Sequence, residues 1–170
     1  MRIGIALGSN LGDRMANLQA ARRAVVNLVG DENLLVSPVY ETEPVDCEPG
    51  AGKFLNAVLE IDYDGDPTQL LDHMIQIEES LGRKRGQVSP ASATNVSRKI
   101  DIDLLYADDM SVQNEHLQLP HPRMLRRRFV LQPLADIRPE LTLPGQKNPV
   151  RELLAELKDS ATVTRFAENW

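Results

Sequence analysis

The stretch that decides the fold spans residues 53–82 and reads KFLNAVLEIDYDGDPTQLLDHMIQIEESLG. In its first ten residues, 53–62, every second side chain is apolar, at positions 55, 57, 59 and 61. This alternation places the apolar side chains on one face and predicts a strand. Asp66 suits a helix cap, Pro67 the first helical position and Gly82 the end, so a helix should follow. The stretch is therefore a strand that leads directly into an amphipathic helix.

The same two patterns recur on both sides of this stretch. Alternation over residues 2–7 predicts a first strand, and apolar spacing between a cap at Asp13 and an end at Gly30 predicts a helix. Residues 34–41 and 99–106 predict two more strands. The resulting order indicates an α+β fold with a ferredoxin-like βαββαβ core, a mainly antiparallel sheet with helices on one face. Helices over 128–136 and 148–158 would form a C-terminal helical extension.

The composition is typical of one globular domain spanning residues 1–170, with 42% hydrophobic and 26% charged residues. The opening apolar segment is too short for a signal peptide or a membrane span, and the only cysteine, Cys47, cannot form an internal disulfide. We therefore expect a cytoplasmic protein without a membrane partner. A net charge of −6 argues against a nucleic-acid partner. Three basic clusters nonetheless suit a small polyanion: Arg83-Lys84-Arg85, Arg98-Lys99 and Arg126-Arg127-Arg128.

Two aspartates in the last predicted strand are candidate metal ligands. In Ile100-Asp101-Ile102-Asp103-Leu104 the apolar residues face one side and both carboxylates the other. Neighbours on one strand face are about 6.5–7 Å apart, a separation that can flank two cations. Asp-X-Asp alone is most often a solvated strand face, but the nearby arginines favour a metal-nucleotide site.

Other residues suggest contacts with a planar ligand or with phosphate. Phe54 and Asn56 share a strand face and could stack on and hydrogen-bond a heterocycle, with Phe129 as a second ring. His121 lies between two prolines on a rigid loop and could face phosphate. The sequence is about equally consistent with structural roles, in which Phe54 fills the sheet face and His121 is an ordinary surface histidine.

The glycine-containing segment at residues 8–12 reads GSNLG and lacks the lysine of a P-loop, which excludes a P-loop enzyme. We interpret it as a strand-to-helix turn, with a smaller chance that its backbone or Asn10 also contacts ligand.

Six motifs occur in a specific order: Gly8-Ser9-Asn10-Leu11-Gly12, Tyr40-Glu41-Thr42-Glu43-Pro44, Phe54-Leu55-Asn56-Ala57, Ile77-Glu78 with Gly82-Arg83-Lys84-Arg85, Arg98-Lys99-Ile100-Asp101-Ile102-Asp103-Leu104-Leu105, and Leu119-Pro120-His121-Pro122 followed by Arg127-Arg128-Phe129-Val130-Leu131-Gln132-Pro133-Leu134. In this order they resemble the 6-hydroxymethyl-7,8-dihydropterin pyrophosphokinase family of the folate pathway. The resemblance covers nearly the whole chain.

The resemblance implies transfer of pyrophosphate, as one unit, from ATP to the hydroxymethyl group of 6-hydroxymethyl-7,8-dihydropterin, with release of AMP. It implies two Mg²⁺ ions on Asp101 and Asp103, with assistance to transfer from Arg83 and Arg98. The implied ATP ligands are Glu78, Arg85, His121 and Arg127. The implied pterin ligands are Thr42, Val45, Phe54, Asn56 and Phe129. We expect a monomer.

The chain departs from the family pattern in the loop before the aspartates. Family members commonly carry a tryptophan there, whereas residues 86–97 contain none. Phe54 replaces a frequent tyrosine, and Pro122 stands where an aromatic residue is common. We therefore expect closure of this loop over the substrates either to rely on other contacts or to be looser.

Two other functions share parts of the pattern. An RNA-recognition module has the same element order, but it would need sheet-face aromatics, and aromatic residues make up only 4% of the chain. A nucleotidyltransferase with a two-metal Asp-X-Asp would transfer AMP and release pyrophosphate. The identity of the ATP fragment released separates this reading from pyrophosphate transfer.

Overall fold

The structure is a computed structural model that describes residues 1–44, 49–83, 97–158 and 161–170. Strands and helices follow the order expected from the sequence up to the end of the βαββαβ unit, and further elements come after it. Their bounds are β1 Arg2–Ser9, α1 Arg14–Val29, β2 Leu35–Val36, β3 Val39–Thr42, β4 Phe54–Asp62, α2 Pro67–Ser80, β5 Asp101–Ala107, β6 Val112–Gln113, β7 Gln118–Leu119, a 3₁₀ turn Met124–Arg126, α3 Arg128–Ile137, α4 Val150–Glu156 and β8 Val163–Ala167.

The main sheet has the strand order β5-β1-β4-β3-β8, and the short β2 also pairs with β4. Neighbouring strands are antiparallel throughout. In the registers Gly8 lies opposite Asn56 on β4 and opposite Asp101 on β5, while Thr42 lies opposite Phe54. One end of the sheet therefore collects the residues that the sequence indicated for ligand binding.

The two helices of the βαββαβ unit lie on one face of the sheet, as the sequence predicted, and α3 and α4 cover the opposite face. The apolar face of β4, residues 55, 57, 59 and 61, packs with α1 and α2 in one core cluster. A second cluster joins Val58 and Leu105 to residues of α3 and α4 on the opposite face. Both α3 and α4 lie there because apolar side chains of the sheet's second face also need to be buried.

Capping side chains stabilise both helices of the βαββαβ unit as the sequence predicted. The Asp13 carboxylate accepts a hydrogen bond from the Ala16 amide at 3.0 Å, and the Asp66 carboxylate accepts one from the Thr68 amide at 2.8 Å. Pro67 occupies the start of α2. The last predicted helix is shorter than expected, because α4 covers Val150–Glu156 only.

The predicted second strand, residues 34–41, is divided into β2 and β3, which is a correction. The interruption falls at Ser37 and Pro38, and proline has no amide hydrogen to continue a ladder. The Ser37 hydroxyl instead accepts a hydrogen bond from the Val58 amide at 2.9 Å, while the Ser37 amide donates to the Val58 carbonyl. The bend thus keeps its polar backbone groups bonded although the strand is broken.

The C-terminal strand β8 was not expected from the sequence. It pairs with β3 at the edge of the sheet and is mostly exposed, so its side chains carry little hydrophobic signal. The indole of Trp170 donates to the Ser37 carbonyl at 2.8 Å, which fastens the end of the chain to the bend before β3.

A buried polar cluster lies at the sheet end away from the residues indicated for ligand binding. Glu60 is only 2% exposed, and its carboxylate accepts hydrogen bonds from the Tyr106 hydroxyl and from Nε of Arg138 at 2.8 Å. Gly4 pairs with Tyr106 across β1 and β5, and a Cβ at Gly4 would overlap the tyrosine ring. A glycine is therefore required beside this ring.

Among the helices that the structure describes, none combines the length and the apolar character that crossing a bilayer requires.

Candidate active site

One pocket of about 210 Å³ opens at the sheet end where β1 and β3 finish and β4 and β5 begin. Strand residues form its floor, and residues from the loops and from the start of α3 form its walls. The lining residues are Ala6, Leu7, Gly8, Thr42, Glu43, Phe54, Asn56, Ala57, Arg83, Arg98, Asp101, Asp103, Arg123, Arg127, Phe129 and Val130.

The two predicted metal ligands both face this pocket from alternate positions of β5. Asp101 is already paired with two cations, since Arg83 Nη1 lies 2.6 Å from Oδ1 and Arg98 Nη1 lies 3.0 Å from Oδ2. Among the described residues, Asp103 forms an ion pair with the guanidinium of Arg127, at 3.6 Å. The two carboxylates therefore differ in how completely their charge is compensated.

Asp103 is a carboxylate whose ionised form is disfavoured by its surroundings. Burial, and then the charge of the neighbouring Asp101, raise the pKa of Asp103 to about 6, against an opposing effect from Arg127. Additional positive charge beside this pair would relieve the repulsion. The pair is thus suited to receive a cation.

His121 lies beside Asp103, with Nε2 at 3.9 Å from the carboxylate oxygen Oδ2. Burial, together with Arg127 and Arg123, lowers the pKa of His121 to about 4, so the ring is neutral at pH 7. Its Nδ1 accepts a hydrogen bond from the Arg123 amide at 3.2 Å. The proton of the neutral ring is therefore on Nε2, which can donate to an anion.

Glu78 lies behind the pocket wall and does not belong to the lining. It is 1% exposed, and its Oε1 accepts a hydrogen bond from the Ile102 amide at 2.7 Å. Its carboxylate is also ion-paired with Arg83. Glu78 thus connects α2 to the start of β5 and holds Arg83 at the pocket.

The opposite side of the pocket has the features of a site for a flat ring. Phe54 and Phe129 both line it, and the buried Asn56 donates from Nδ2 to Thr42 Oγ1 at 2.8 Å. A Cβ at Gly8 would lie 3.3 Å from Asn56 Oδ1, so glycine leaves space above the amide. The amide oxygen of Asn56 faces this space.

Asn10, which the sequence suggested as a ligand contact, is committed to the protein backbone. It is 5% exposed, and its Oδ1 accepts from the Arg98 amide at 2.7 Å. Its Nδ2 donates to the Gly52 carbonyl and to the Ser97 hydroxyl. Asn10 therefore fixes the chain from which the Arg98 side chain reaches Asp101.

The pocket unites nine of the predicted site residues, while Glu78 and His121 lie directly behind or beside it. Two more predicted residues, Val45 and Arg85, lie outside the described residues. Sequence reasoning missed Glu43 and Arg123 as lining residues. The signal for Arg123 was its position two residues after His121, on the same proline-containing loop.

The donor set fits Mg²⁺ bound together with a nucleotide better than a site built from protein ligands alone. Within the described ranges no group of three or more His, Cys, Asp or Glu side chains could hold a metal ion. Mg²⁺ is commonly held by one or two carboxylates plus substrate phosphates. Asp101 and Asp103 match this pattern, and the arginines around them would bind phosphate oxygens.

Comparison with known proteins gives one consistent result. The model of a family described as 7,8-dihydro-6-hydroxymethylpterin-pyrophosphokinase (HPPK) matches residues 4–139. The 2-amino-4-hydroxy-6-hydroxymethyldihydropteridine pyrophosphokinase of Bacillus subtilis is 41% identical over 134 residues, covering 78% of this chain and 75% of the relative. The protein of the same name from Mycobacterium tuberculosis is 36% identical over 169 residues, covering 92% and 84%.

A solved structure of Plasmodium falciparum HPPK-DHPS superimposes with a TM-score of 0.62 at 15% identity. The match covers 91% of this chain and 44% of that longer chain, so the present chain spans less than half of it. At this identity the likeness supports the fold alone.

Proposed function

The chain belongs to the 7,8-dihydro-6-hydroxymethylpterin-pyrophosphokinase family, and we propose that the pocket around Asp101 and Asp103 is where it transfers pyrophosphate. As a member of this family it is a pyrophosphokinase of folate biosynthesis, with ATP as donor and 6-hydroxymethyl-7,8-dihydropterin as acceptor. One observation carries the assignment of the site. A carboxylate pair, four arginines and two phenylalanines line the same pocket.

The reaction needs the acceptor hydroxyl and the nucleotide to meet. The hydroxymethyl oxygen attacks the β-phosphorus of ATP, the bond from that phosphorus to the α–β bridging oxygen breaks, and AMP leaves while the hydroxyl proton is released. Because the phosphate groups carry most of the charge, the protein contributes mainly positioning and charge neutralisation.

Arg83 and Arg98 are the proposed catalytic residues. Both are ion-paired with Asp101, at 2.6 Å and 3.0 Å, so they lie next to the carboxylate that would meet the phosphates. On nucleotide binding their guanidinium groups would exchange Asp101 for phosphate oxygens. The attraction between the two guanidinium groups and the phosphate oxygens would then become stronger as negative charge accumulates on the transferring group.

The remaining phosphate contacts are proposed for Arg127, His121 and Arg85. The guanidinium of Arg127 lies 5.5 Å from the Phe129 ring centroid and 3.6 Å from Asp103, at the junction of the two halves of the pocket. His121 would donate from Nε2 as a neutral ring. Glu78 would lie on the nucleotide side of the site without contacting the pocket, and it would hold Arg83 in place through their ion pair.

Two Mg²⁺ ions are proposed to be held by Asp101, Asp103 and the phosphates of ATP. Their chemistry would be the neutralisation of phosphate charge in the transfer. The raised pKa of Asp103, about 6, supports this proposal because burial and the charge of Asp101 disfavour its ionised form, which a bound cation would favour.

The pterin is proposed to lie between Phe54 and Phe129, with its edge on Asn56. Thr42 holds the Asn56 amide by accepting one of its hydrogens at 2.8 Å, which leaves the amide oxygen directed at the ligand. Backbone contacts from Thr42 and Val45 would complete the site. A buried amide that is held in one orientation recognises a heterocycle edge selectively.

Product analysis tests this function against the nucleotidyltransferase alternative. The protein is incubated with Mg²⁺, 6-hydroxymethyl-7,8-dihydropterin and ATP, and products are followed by phosphorus NMR. We expect AMP and a pterin diphosphate in equal amounts. Release of inorganic pyrophosphate with a pterin–AMP adduct, or of ADP, would contradict the proposal.

Further properties complete the proposal. We class the βαββαβ unit as ferredoxin-like with a C-terminal extension, on the basis of the strand order β5-β1-β4-β3. We also propose one domain, a monomer and a cytoplasmic location, and the length of 170 residues accords with one domain. The charge of −6 supports small-molecule substrates without a nucleic-acid or membrane partner.

A further inference from the structure

Arg14, the first residue of α1, joins the two strands that carry the proposed pterin ligands. Its Nη1 donates to Glu41 Oε2 at 2.8 Å and to the Lys53 carbonyl oxygen at 2.9 Å. Glu41 belongs to β3, and Lys53 immediately precedes β4. One guanidinium nitrogen therefore connects the end of one strand to the start of the next.

The contact lies directly behind the pocket. The last pair of the β3–β4 ladder is Thr42 with Phe54, and both residues line the pocket. Successive side chains on a strand point to opposite faces, so Glu41 points to the α1 side while Thr42 points to the pocket. Arg14 thus contacts each strand at the residue next to a proposed pterin ligand, since Glu41 precedes Thr42 and Lys53 precedes Phe54.

Beyond this last pair the two strands separate into the segment that joins them. Only Lys53 and Glu43 form a further described ion pair there, at 2.7 Å, and both side chains are more than half exposed. Exposed ion pairs contribute little. The Arg14 side chain is 27% exposed and has the Phe166 ring 5.9 Å from its guanidinium, so it is the better ordered connection.

We propose that Arg14 is a positioning residue for the pterin. It fixes the spacing of β3 and β4 at their last pair, and so keeps Phe54 and the hydrogen-bonded Thr42 and Asn56 in the arrangement that receives the ring. The inference rests on the proposed function, because it assigns the Thr42, Phe54 and Asn56 side of the pocket to the pterin. Arg14 itself lies on the other face of the sheet and contacts neither substrate.

The test compares Arg14→Met and Arg14→Lys with the control Arg23→Met. Arg23 is on the same helix, is exposed and does not line the pocket. For Arg14→Met we expect the pterin KM and the pterin Kd to rise about tenfold, which equals ~1.4 kcal/mol of binding free energy. The KM for ATP and kcat should stay within about twofold, because the phosphate side is unchanged. Lysine retains one of the two hydrogen bonds, so Arg14→Lys should be intermediate.

A merely structural role would lower the melting temperature and affect both substrates equally, and such a result would overturn the inference. Glu41→Met offers an independent measurement from the partner side. It should also raise the pterin KM, and the double variant should be no worse than Arg14→Met alone, because Arg14→Met already removes the contact that Glu41→Met removes. Additive effects would also overturn it.

Failure of this inference can be distinguished from failure of the proposed function. Wild-type turnover is measured first, and its absence would refute the proposed function. When the wild type produces AMP and pterin diphosphate, an unchanged pterin KM in Arg14→Met and Glu41→Met refutes only the role of Arg14.

Discussion

Replacing Asp103 by asparagine should stabilise the metal-free protein while it removes activity. The pKa of Asp103 is about 6, compared with an ordinary value of 3.8, because burial and the charge of Asp101 disfavour its ionised form. Near neutral pH the folded state therefore carries an unfavourable charge that the unfolded state carries without cost. Asparagine has the same shape and no charge.

The size of the effect follows from the pKa shift. About two pKa units correspond to ~3 kcal/mol. The side chain is 36% exposed, so solvent screens the interaction, and we expect about 1 kcal/mol. The sign depends on pH. Between about pH 4 and pH 6 the unfolded carboxyl is ionised while the folded one is still protonated, so the wild type loses stability relative to Asp103→Asn as pH rises through this window.

Urea unfolding followed by circular dichroism measures this difference, with a chelator present at about pH 8 and again at about pH 4. Asp103→Asn should be the more stable protein at the higher pH, and the difference should shrink at the lower pH. The exposed Asp109 supplies a matched control, since Asp109→Asn should change stability by less than about 0.5 kcal/mol. If Asp103→Asn is less stable than the wild type at about pH 8, contacts with Arg127 outweigh the repulsion and the reasoning is refuted.

Three further changes test the fold and the pocket. Arg138→Met should lower the free energy of unfolding by about 3 kcal/mol in urea titrations, because it leaves the buried Glu60 carboxylate without its cation; an effect below about 1 kcal/mol would contradict this. Gly4→Ala should cost about 2–3 kcal/mol or prevent folding, since its Cβ would overlap the Tyr106 ring, and a wild-type melting temperature would show that the ring can move. Arg123→Gln should raise the KM for ATP about tenfold in steady-state assays because Arg123 lines the pocket next to His121, a proposed phosphate ligand, and an unchanged KM would exclude Arg123 from phosphate binding.

Local signals in the sequence predicted the elements that form the site. The caps at Asp13 and Asp66 and the alternation in β4 and β5 are local, and the structure confirms them. The two faces of β5 followed directly from Ile102 lying between Asp101 and Asp103. These features depend on neighbours in the chain, which a sequence pattern reports well.

Features that depend on distant partners could not be predicted in the same way. The strand β8 forms because β3 has an open edge, and its own residues are mostly exposed. The sequence showed Glu78 only as an acidic residue of an amphipathic helix. Its burial could not be predicted, because the hydrogen bond from the Ile102 amide forms only when β5 packs beside α2. For Asn10 the sequence favoured a turn over a ligand contact, but it did not indicate that the Asn10 amide oxygen accepts a hydrogen bond from the Arg98 amide. Each outcome is decided by tertiary contacts.

The most direct test of the central claim is the effect of Asp101→Ala on turnover and on pterin binding, measured on the same preparation. If Asp101 holds metal and nucleotide for the transfer, kcat should fall about a thousandfold or more, while the pterin Kd, determined by fluorescence titration, stays within about twofold. Turnover equal to that of the wild type, or a loss confined to pterin affinity, would contradict the assignment of Asp101 to the transfer site.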